Sequence, residues 1–261
     1  MIVSVLGEPY SFHHVAAMQL WDREIQYRHL RDFDQLIRSV QDAEADYAVI
    51  AVENTIAGDV PGNYPRVAGS GLRICGELYL HLDMHLAAKQ QIPIQELHSV
   101  ISHPMALKET APFFQPYPHI RLLPADSTST AAKFVSEEKD PGLAVIANSA
   151  AIRFFNLQII SKNIDNLPNN VTRFLILSKN SPNPDATGKP IKASLLLVGK
   201  VDEELAPFVQ LGRTLPDGRL YIECQHTDPE VLRHITERLI TGEAKGILLG
   251  MYPIGITASG N

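Results

Sequence analysis

Two hydrophobic patterns alternate along the first part of the chain. Short apolar runs, which are typical of buried strands, predict strands at residues 1–6, 47–52, 99–101, 121–123 and 143–146. Between these runs, apolar residues recur at helical spacing and predict helices at residues 12–27, 33–43, 104–114 and 129–138. Strands that alternate with helices indicate an α/β protein with a mostly parallel sheet.

A change in composition separates this part from the rest of the chain. Residues 179–190 contain three prolines, a glycine and small polar residues, which is a composition typical of a linker. Beyond it, the pattern predicts strands at residues 193–198, 219–224 and 246–251 and helices at residues 203–211 and 229–240. We therefore expect a first domain at residues 1–180, a linker at residues 181–190 and a small α+β domain at residues 191–261.

The charge balance excludes some classes of partner. The chain of 261 residues carries 23 Lys and Arg against 29 Asp and Glu, a formal net charge of −6. It therefore lacks the basic surface that attracts nucleic acid or anionic lipid. No apolar run is long enough to span a bilayer, and no Lys or Arg precedes Arg23, so the basic start of a signal peptide is missing. We expect a cytoplasmic protein with no nucleic-acid or membrane partner.

The cysteines and histidines do not predict a metal site. Cys75 and Cys224 lie far apart and outside any CxxC spacing, which favours a packing role. His81 and His85 are four residues apart, but apolar and polar residues alternate around them. This alternation predicts one strand on which the two rings lie about 13 Å apart, too far for a shared metal ion. The chain also contains no GxGxxG dinucleotide motif.

Polar residues follow several of the predicted strands, where open α/β sheets bind their ligands. These groups are residues 8–14, 53–55, 102–104 and 126–130. Ser102 and Ser127 also precede helical patterns, so their hydroxyls and the free N–H groups of a helix start favour a small anionic ligand. The alternative is that these serines, like the pair His13 and His14, only cap helices or lie near helix starts.

Four segments in the first domain resemble the motifs of prephenate dehydratases. They are ENTIAG from Glu53, SHPMAL from Ser102, DSTSTAA from Asp126 and NVTRF from Asn170. They resemble the family's EN[ST]xxG, its SHPxAL, its Ser/Thr-rich loop before a helix and its NxTRF signature, and they occur in the family's order. The resemblance covers residues 1–178. The second domain is similar to an ACT regulatory domain, most clearly in LGMYP from Leu249.

The resemblance implies a fold and a reaction. The fold is a two-lobed α/β catalytic domain, similar to type 2 periplasmic binding proteins, with the site in the cleft between the lobes and a small ACT-like domain after it. The reaction is the conversion of prephenate to phenylpyruvate, water and carbon dioxide in phenylalanine biosynthesis, and it requires no metal or redox cofactor. ACT-like domains commonly associate, so a homodimer or homotetramer is expected.

The resemblance also assigns roles to side chains. Thr172 is expected to give a proton or a hydrogen bond to the departing ring hydroxyl of the substrate. The expected catalytic residues are Thr172, Glu53, Asn54 and Ser102, and the expected substrate-binding residues are Ser11, Thr55, Glu109, Ser127, Thr128, Ser129, Arg173 and Phe174. For Arg173 two interpretations stay open, because it either supplies positive charge to the substrate or serves as a structural ion-pair partner.

Departures from the family pattern bear on the activity. Tyr10 occupies the position of a second glycine in the first turn, where a glycine allows close backbone approach. Glu109 occupies a position where the family often has a glutamine, and a carboxylate repels a dianion unless it is protonated or paired. Two alternatives therefore stay open. One is dehydration of arogenate, whose ammonium Glu109 would pair with, and the other is a non-catalytic sensor of a small carboxylate.

A further departure concerns regulation. The second domain lacks the GAL and ESRP patterns by which the family's ACT domains bind phenylalanine, and it is about a dozen residues short in the region of residues 202–216. Feedback control by phenylalanine is therefore not expected.

Overall fold

The computed structural model describes residues 1–21, 24–165, 169–180, 190–242 and 244–259. The strands are β1 (Ile2–Leu6), β2 (Gln26–Leu30), β3 (Tyr47–Asn54), β4 (Gly58–Asp59), β5 (Arg73–His81), β6 (His85–Ala88), β7 (Ser99–Ser102), β8 (Arg121–Pro124), β9 (Leu143–Ala147), β10 (Gln158–Ser161), β11 (Val171–Ser178), β12 (Ile191–Val198), β13 (Val209–Thr214), β14 (Leu220–His226), β15 (Lys245–Pro253) and β16 (Ile256–Ser259). The helices are α1 (Phe12–Met18), α2 (Phe33–Gln41), α3 (Asn63–Gly69), α4 (Pro104–Phe114), α5 (Thr128–Glu137), α6 (Ser149–Phe154) and α7 (Pro229–Thr241), with short 3₁₀ helices at Ile94–Glu96 and Ala206–Phe208.

Three sheets organise the described residues. The first has the order β16-β5-β11-β3-β1-β2, with β4 paired to β3, and the second has the order β10-β6-β9-β7-β8. The third has the order β13-β14-β12-β15. We call the first two lobe I and lobe II, and the third, with α7, the C-terminal domain. The chain enters lobe II between β5 and β6 and returns to lobe I between β10 and β11, which confirms the expected two-lobed α/β fold.

Both lobes contain mixed sheets, so the expectation of a mostly parallel sheet is too simple. β1 is parallel to β2 and β3, and β7 is parallel to β8 and β9. The strands that begin after each crossing run the other way: β6 is antiparallel to β9, and β11 is antiparallel to β3 and β5. This reversal places the first residues of β11 beside the carboxyl end of β3.

Lobe I and the C-terminal domain share one hydrophobic core. Leu36 and Ile50 from lobe I belong to the same buried cluster as Tyr221 and Tyr252 from the C-terminal domain. The backbones also approach closely, because a methyl group at Gly250 on β15 would overlap the carbonyl oxygen of β5 at residue 74. The last strand, β16, pairs in parallel with β5. The C-terminal domain is therefore packed directly against lobe I.

One predicted helix is too long, and another is wrong. The helix predicted at residues 12–27 ends at Met18 and is followed by β2, whose sequence QYRHL is half exposed because this strand is the edge of its sheet. A polar edge strand lacks the apolar pattern of a central one. The helix predicted at residues 203–211 is instead a 3₁₀ turn followed by β13, and Pro207 in this turn has no N–H to donate. The predicted linker lies outside the described residues except for Pro190.

The single strand predicted through His81 and His85 is also wrong. His81 ends β5 in lobe I, whereas His85 begins β6 in lobe II, because the chain crosses between the lobes at residues 82–84. Asp83, on this crossing, lies 3.1 Å from Nε2 of His85. The N–H of Asn163, on the return crossing, donates to Nδ1 of His85 over 2.9 Å. His85 therefore links the two crossings.

Candidate active site

The candidate site lies where strand ends of the two lobes face each other. β1 is followed by Gly7, whose φ of 88° belongs to the left-handed region. A methyl group at Gly7 would lie 3.2 Å from Cβ of Ser11 and 3.6 Å from Oγ of Ser129. Ser11 begins α1 in lobe I, and Ser129 lies in the first turn of α5 in lobe II. The first turn of the chain therefore packs against a helix start of the opposite lobe.

Four polar side chains form a hydrogen-bonded chain across the cleft. Nδ2 of Asn54 donates to Oγ1 of Thr172 over 3.0 Å and to Oδ1 of Asn170 over 2.8 Å. Nδ2 of Asn170 then donates to Oε2 of Glu109 over 3.0 Å. Asn54 and Thr172 are register partners on β3 and β11, and Glu109 lies on α4 of lobe II. We call these four residues the cleft relay.

The orientation of the cleft relay follows from its backbone contacts. The N–H groups of Ile56 and Ala57 donate to Oδ1 of Asn54 over 2.8 and 2.9 Å. This fixes the amide oxygen of Asn54 toward the backbone and its NH₂ group toward Thr172. Thr172 therefore accepts a hydrogen bond from Asn54, which leaves its own hydroxyl proton for another acceptor.

Glu109 is the residue of the cleft relay that lobe II contributes. Burial raises the pKa of its carboxyl, and the negative charge of Asp165 raises it further, whereas the hydrogen bond from Asn170 opposes the rise. Burial also raises the pKa of Asp165. Two carboxyl groups with raised pKa values thus lie near Asn170, and both are more costly to ionise than in water.

Two of the candidate serines cap helices. Oγ of Ser11 accepts from the N–H of His14 at the start of α1 and donates to the carbonyl oxygen of Leu6 over 2.6 Å. Oγ of Ser127 accepts from the N–H of Thr130 over 3.0 Å at the start of α5. The capping interpretation therefore describes the contacts of both serines.

The other hydroxyls of lobe II differ from one another. Ser102 is fully buried and donates to the carbonyl oxygen of Ile146 over 2.7 Å, so its proton is used by the backbone. His103, not Ser102, caps α4. Thr128 and Ser129 are buried in the first turn of α5, and Ser129 is the one that approaches Gly7. The start of α5 is therefore a helix end of lobe II that lies against the Gly7 turn of lobe I.

Thr55 fastens the end of β3 to the segment before β11. Its hydroxyl donates to the carbonyl oxygen of Asn169 and accepts from the N–H of Val171 over 3.0 Å. The N–H of Thr55 donates to the carbonyl oxygen of Val171 over 2.9 Å. Thr55 therefore holds Asn170 and Thr172 in register with Asn54.

Glu53, Arg173 and Phe174 are placed away from the cleft relay. Oε1 of Glu53 lies 3.3 Å from Nη1 of Arg173, and Arg173 also contacts Glu77 and Glu223. Of the two interpretations of Arg173, these contacts fit the ion-pair partner. Phe174 has no exposed surface and packs in the core of lobe I. The structure thus does not bring these three side chains together with Thr172.

Tyr10 keeps the backbone conformation expected of the glycine that it replaces. Its φ is 61°, a left-handed value that is uncommon for a residue with a side chain. Its carbonyl oxygen accepts from Nδ2 of Asn148 over 2.9 Å, and its ring lies 4.6 Å from that of Phe154 on α6. Lys133 and Glu8 form another contact between the lobes, at 3.4 Å. Tyr10 therefore joins lobe I to lobe II.

The two histidines of the first turn are acceptors from the backbone. Nδ1 of His14 accepts from the N–H of Tyr10 over 2.9 Å, and Nε2 of His13 accepts from the N–H of Ala51 over 3.3 Å. Burial lowers the pKa of His13 to about 3. Burial, with a smaller contribution from His29, lowers the pKa of His14 to about 4. Both rings are therefore neutral at physiological pH and support the turn.

The sequence interpretation did not single out two residues of the site. Asn170 connects Asn54 to Glu109. It is the first residue of NVTRF, and this position in the motif was the sequence feature that could have identified it. Asn148 caps α6 and holds Tyr10. Its signal was a polar residue two positions after the apolar strand predicted at residues 143–146, and directly after β9 as the structure has it, so the rule applied to the other strand ends would have found it.

No three His, Cys, Asp or Glu side chains in the described ranges are placed to hold a metal ion together. None of the helices in the part of the chain that the structure describes combines the length and the apolar character needed to cross a lipid bilayer.

Comparison with known proteins identifies relatives. A family model described as prephenate dehydratase matches residues 3–182. The bifunctional chorismate mutase/prephenate dehydratase of Escherichia coli (strain K12) is 29% identical over 198 residues, which are 75% of this chain and 51% of that protein. That of Buchnera aphidicola subsp. Acyrthosiphon pisum is 25% identical over 223 residues, 84% of this chain and 57% of that protein. The chain spans about half the length of these curated relatives.

Solved structures share the fold over nearly the whole chain. Prephenate dehydratase from Arthrobacter aurescens, in complex with L-Phe, matches with a TM-score of 0.83 and 20% identity, covering 97% of this chain and 90% of that chain. GqqA, described as a quorum quenching acylase, matches with a TM-score of 0.80 and 21% identity, covering 97% and 98%. At such identities these matches establish the fold, which includes the C-terminal domain.

Proposed function

Because the chain belongs to the prephenate dehydratase family, we propose that it catalyses the decarboxylating dehydration of prephenate to phenylpyruvate. The observation that carries the proposal is the cleft relay, in which Asn54 occupies an acceptor site of Thr172 and leaves the hydroxyl proton of Thr172 for a substrate oxygen. A side chain positioned in this way is what general acid catalysis requires.

The reaction needs a proton donor and a means of holding the substrate. The ring carboxylate leaves as carbon dioxide, its bonding electrons form the aromatic ring, and the ring hydroxyl departs as water once it has received a proton. Thr172 donates a hydrogen bond to this hydroxyl and passes it the proton, one proton is taken up from solvent for each substrate converted, and Asn54 fixes the position of Thr172. Because aromatisation drives the bond changes, the protein has only to orient the substrate and protonate the leaving group.

The start of α5 is the proposed place for a substrate carboxylate. Thr128 and Ser129 lie in the first turn of this helix, and Ser129 approaches the Gly7 turn of lobe I. The backbone N–H groups of a helix start attract anions, and hydroxyls beside them add donors. A ligand bound here contacts both lobes.

The decisive experiment is to incubate the purified full chain with prephenate and to follow the absorbance of phenylpyruvate. Saturable turnover is expected. If prephenate binds, as calorimetry would detect, but is not turned over, the chain is a carboxylate sensor and the proposed activity is wrong. Thr172→Ala serves as the matched negative control for turnover by a contaminating enzyme.

Dehydration of arogenate is the second candidate, and the placement of Glu109 favours it. Arogenate carries an ammonium group where prephenate has a keto group, and Glu109 offers a carboxylate at the end of the cleft relay. If arogenate is the substrate, Glu109→Gln removes a charge-assisted hydrogen bond worth about 1.5–3 kcal/mol and raises KM roughly tenfold or more. If prephenate is the substrate, the same variant lowers KM because a repulsive charge is removed.

The proposal includes an ACT-like C-terminal domain. Its support is the sheet order β13-β14-β12-β15 with α7, which is the order of a βαββαβ unit whose first helix is reduced to the turn at Ala206–Phe208. A cytoplasmic location, a homodimer or homotetramer and the absence of phenylalanine feedback stay predictions. Size-exclusion chromatography with light scattering tests the oligomeric state, and a thermal shift with phenylalanine tests the feedback.

A further inference from the structure

The two site strands have a second face that carries charge. Successive side chains of a strand point to opposite faces of its sheet. Asn54 and Thr172, two residues of the cleft relay, lie on one face, and their neighbours Glu53 and Arg173 meet on the other, at 3.3 Å. Each of the two motifs therefore contributes one residue to the candidate site and an adjacent residue to the opposite face.

On that opposite face, Arg173 contacts the C-terminal domain. Its Nη2 lies 2.7 Å from Oε1 of Glu223 on β14, and its Nε donates to Oε2 of Glu77 on β5 over 2.8 Å. Lys192 on β12 lies 2.9 Å from the Glu77 carboxylate and 3.3 Å from that of Glu223. Arg173, Glu77, Glu223 and Lys192 form what we call the interdomain ion cluster. Two of its members come from lobe I and two from the C-terminal domain.

The interdomain ion cluster is shielded from solvent. The side chains of Arg173 and Glu223 are 2% and 3% exposed. Burial opposes ionisation of Glu77, yet the charges of Arg173 and Lys192 lower its pKa. Burial likewise opposes the charge of Arg173, and Glu223, the strongest of the opposing influences, raises its pKa. The charges are therefore held by one another, and each fixes the position of its partners.

A β-bulge lies in the strand pair next to Arg173, close to the candidate site. On β11, Arg173 pairs with Glu53 but Phe174 pairs with Ala51, so Val52 is the extra residue of a β-bulge. A bulge interrupts the ladder of hydrogen bonds and changes the local twist. The pairing of β11 with β3 is therefore interrupted directly after Arg173, although its pairing with β5 stays regular there, and the side-chain contacts of Arg173 add a restraint at this interruption.

We propose that Glu223 is a positioning residue for Thr172, acting through Arg173. By holding the guanidinium, Glu223 fixes the backbone of β11 at the residue after Thr172 and so sets the hydroxyl against Asn54. The C-terminal domain is then a working part of the catalytic site. This inference rests on the proposed dehydratase activity.

The test is a kinetic comparison of two variants in the full chain. Glu223→Gln weakens the ion pair that holds Arg173. The control, Arg73→Gln, removes another contact between lobe I and the C-terminal domain, in which Arg73 donates to the carbonyl oxygen of Leu248. This contact does not reach the cleft relay. Misplacing a catalytic group by a fraction of an ångström to 1 Å costs roughly ten- to hundredfold in rate. We expect this loss in kcat for Glu223→Gln with KM within about twofold, and no change in kcat for Arg73→Gln.

A double-mutant cycle separates positioning from loss of folded protein. If Glu223 acts through Thr172, Glu223→Gln has no further effect on the residual rate of Thr172→Ala, since residues that act as a unit are not additive. The proposal is overturned if Glu223→Gln lowers kcat by the same factor in the wild-type and Thr172→Ala backgrounds. It is also overturned if the kcat of Glu223→Gln equals that of the wild type.

A milder variant covers the case in which Glu223→Gln does not fold. Tyr221→Phe removes the hydroxyl that donates to Oε1 of Glu223 over 2.7 Å and keeps every charge. A lower kcat that disappears in the Thr172→Ala background supports the proposal, and an unchanged kcat rejects it. Failure of the proposed function is recognised separately, because the wild type then shows no turnover before any variant is made.

Discussion

The two faces of the β3–β11 strand pair differ in the physical means by which they are held. The cleft face is built from neutral amides and a hydroxyl, joined by hydrogen bonds of 2.8–3.0 Å, and ends at one carboxyl group with a raised pKa. The opposite face is built from buried full charges. Neutral groups can exchange partners with a ligand at small cost, whereas buried charges cannot lose a partner without a large penalty. By the alternation of its side chains, one strand pair therefore presents groups that can exchange partners on one face and a fixed ionic support on the other.

The largest expected effect is on the free energy of unfolding, and it follows from a substitution on the charged face. Arg173→Met leaves Glu77 and Glu223 with fewer cationic partners in the interior, and removing one partner of a buried ion pair costs about 3–5 kcal/mol. Urea unfolding of the full chain measures this free energy. The control is Arg28→Met, which breaks the exposed pair of Arg28 and Glu44 and should change stability little. Equal effects of the two variants would mean that the interdomain ion cluster does not hold the fold.

The second largest expected effect is on the rate of turnover, and it follows from a substitution on the cleft face. Thr172→Ala removes the hydroxyl of the cleft relay, and loss of one positioned acid lowers the rate by ~10²-fold or more. The free energy of unfolding should stay within about 1 kcal/mol, since only one neutral hydrogen bond is lost. The matched variant is Thr172→Ser, which keeps the hydroxyl and should retain most of the rate. Wild-type turnover in Thr172→Ala would remove this residue from the mechanism.

A third prediction uses pH to examine the carboxyl end of the cleft relay. Because burial raises the pKa of Glu109 in the folded state, its contribution to stability is complete below the ordinary glutamate pKa and is lost as pH rises through the raised value. The ionised form also repels a dianionic substrate, so kcat/KM for prephenate should rise as pH falls through the same range. Glu109→Gln should remove this part of both profiles. An identical pH profile in the variant would show that another group is responsible, and Asp165, whose pKa is also raised, is the next to replace.

The smallest effect concerns the link between the lobes at Tyr10. A left-handed conformation costs a residue with a side chain about 1–2 kcal/mol relative to glycine. Tyr10→Gly and Tyr10→Ala both lose the ring contact with Phe154, so the difference between them isolates the backbone. We expect Tyr10→Gly to be the more stable by about 1 kcal/mol in thermal or urea unfolding. Equal stability would indicate that the turn relaxes to an ordinary conformation.

Much of the cleft face could be predicted from sequence, because its residues lie in short motifs at strand ends. Asn54 and Thr172 are brought together as predicted, and Glu109 reaches the same network from α4. Asn170 could also have been predicted as a site residue, because it belongs to the same NVTRF motif as Thr172. By contrast, Glu53 and Arg173 are next to these residues in sequence but face away from them, and the alternation of a strand was the signal that would have separated them.

The charged face could not be predicted, because its partners are distant in the chain. Glu223 lies on a strand of another sheet, and no local pattern indicates that it meets Arg173. β2 was missed for a related reason, since an edge strand with one neighbour carries polar residues that obscure its period. Tyr10 shows a different limit. The motif showed that a glycine had been replaced, but only the structure shows that the left-handed turn survives the replacement.

The return of β16 to lobe I makes the C-terminal domain an insertion between two segments of one sheet. β11 and β16 both pair with β5, from opposite sides, and β12–β15 lie between them in the chain. A domain attached at both ends cannot swing out on a single tether, so its contacts with lobe I re-form at high effective concentration whenever they open. Cutting the gene at the linker would therefore not release an intact catalytic domain. It would remove a strand from lobe I and leave the N–H and C=O groups on one side of β5 at residues 78–81 as an open edge, the kind of surface on which chains aggregate.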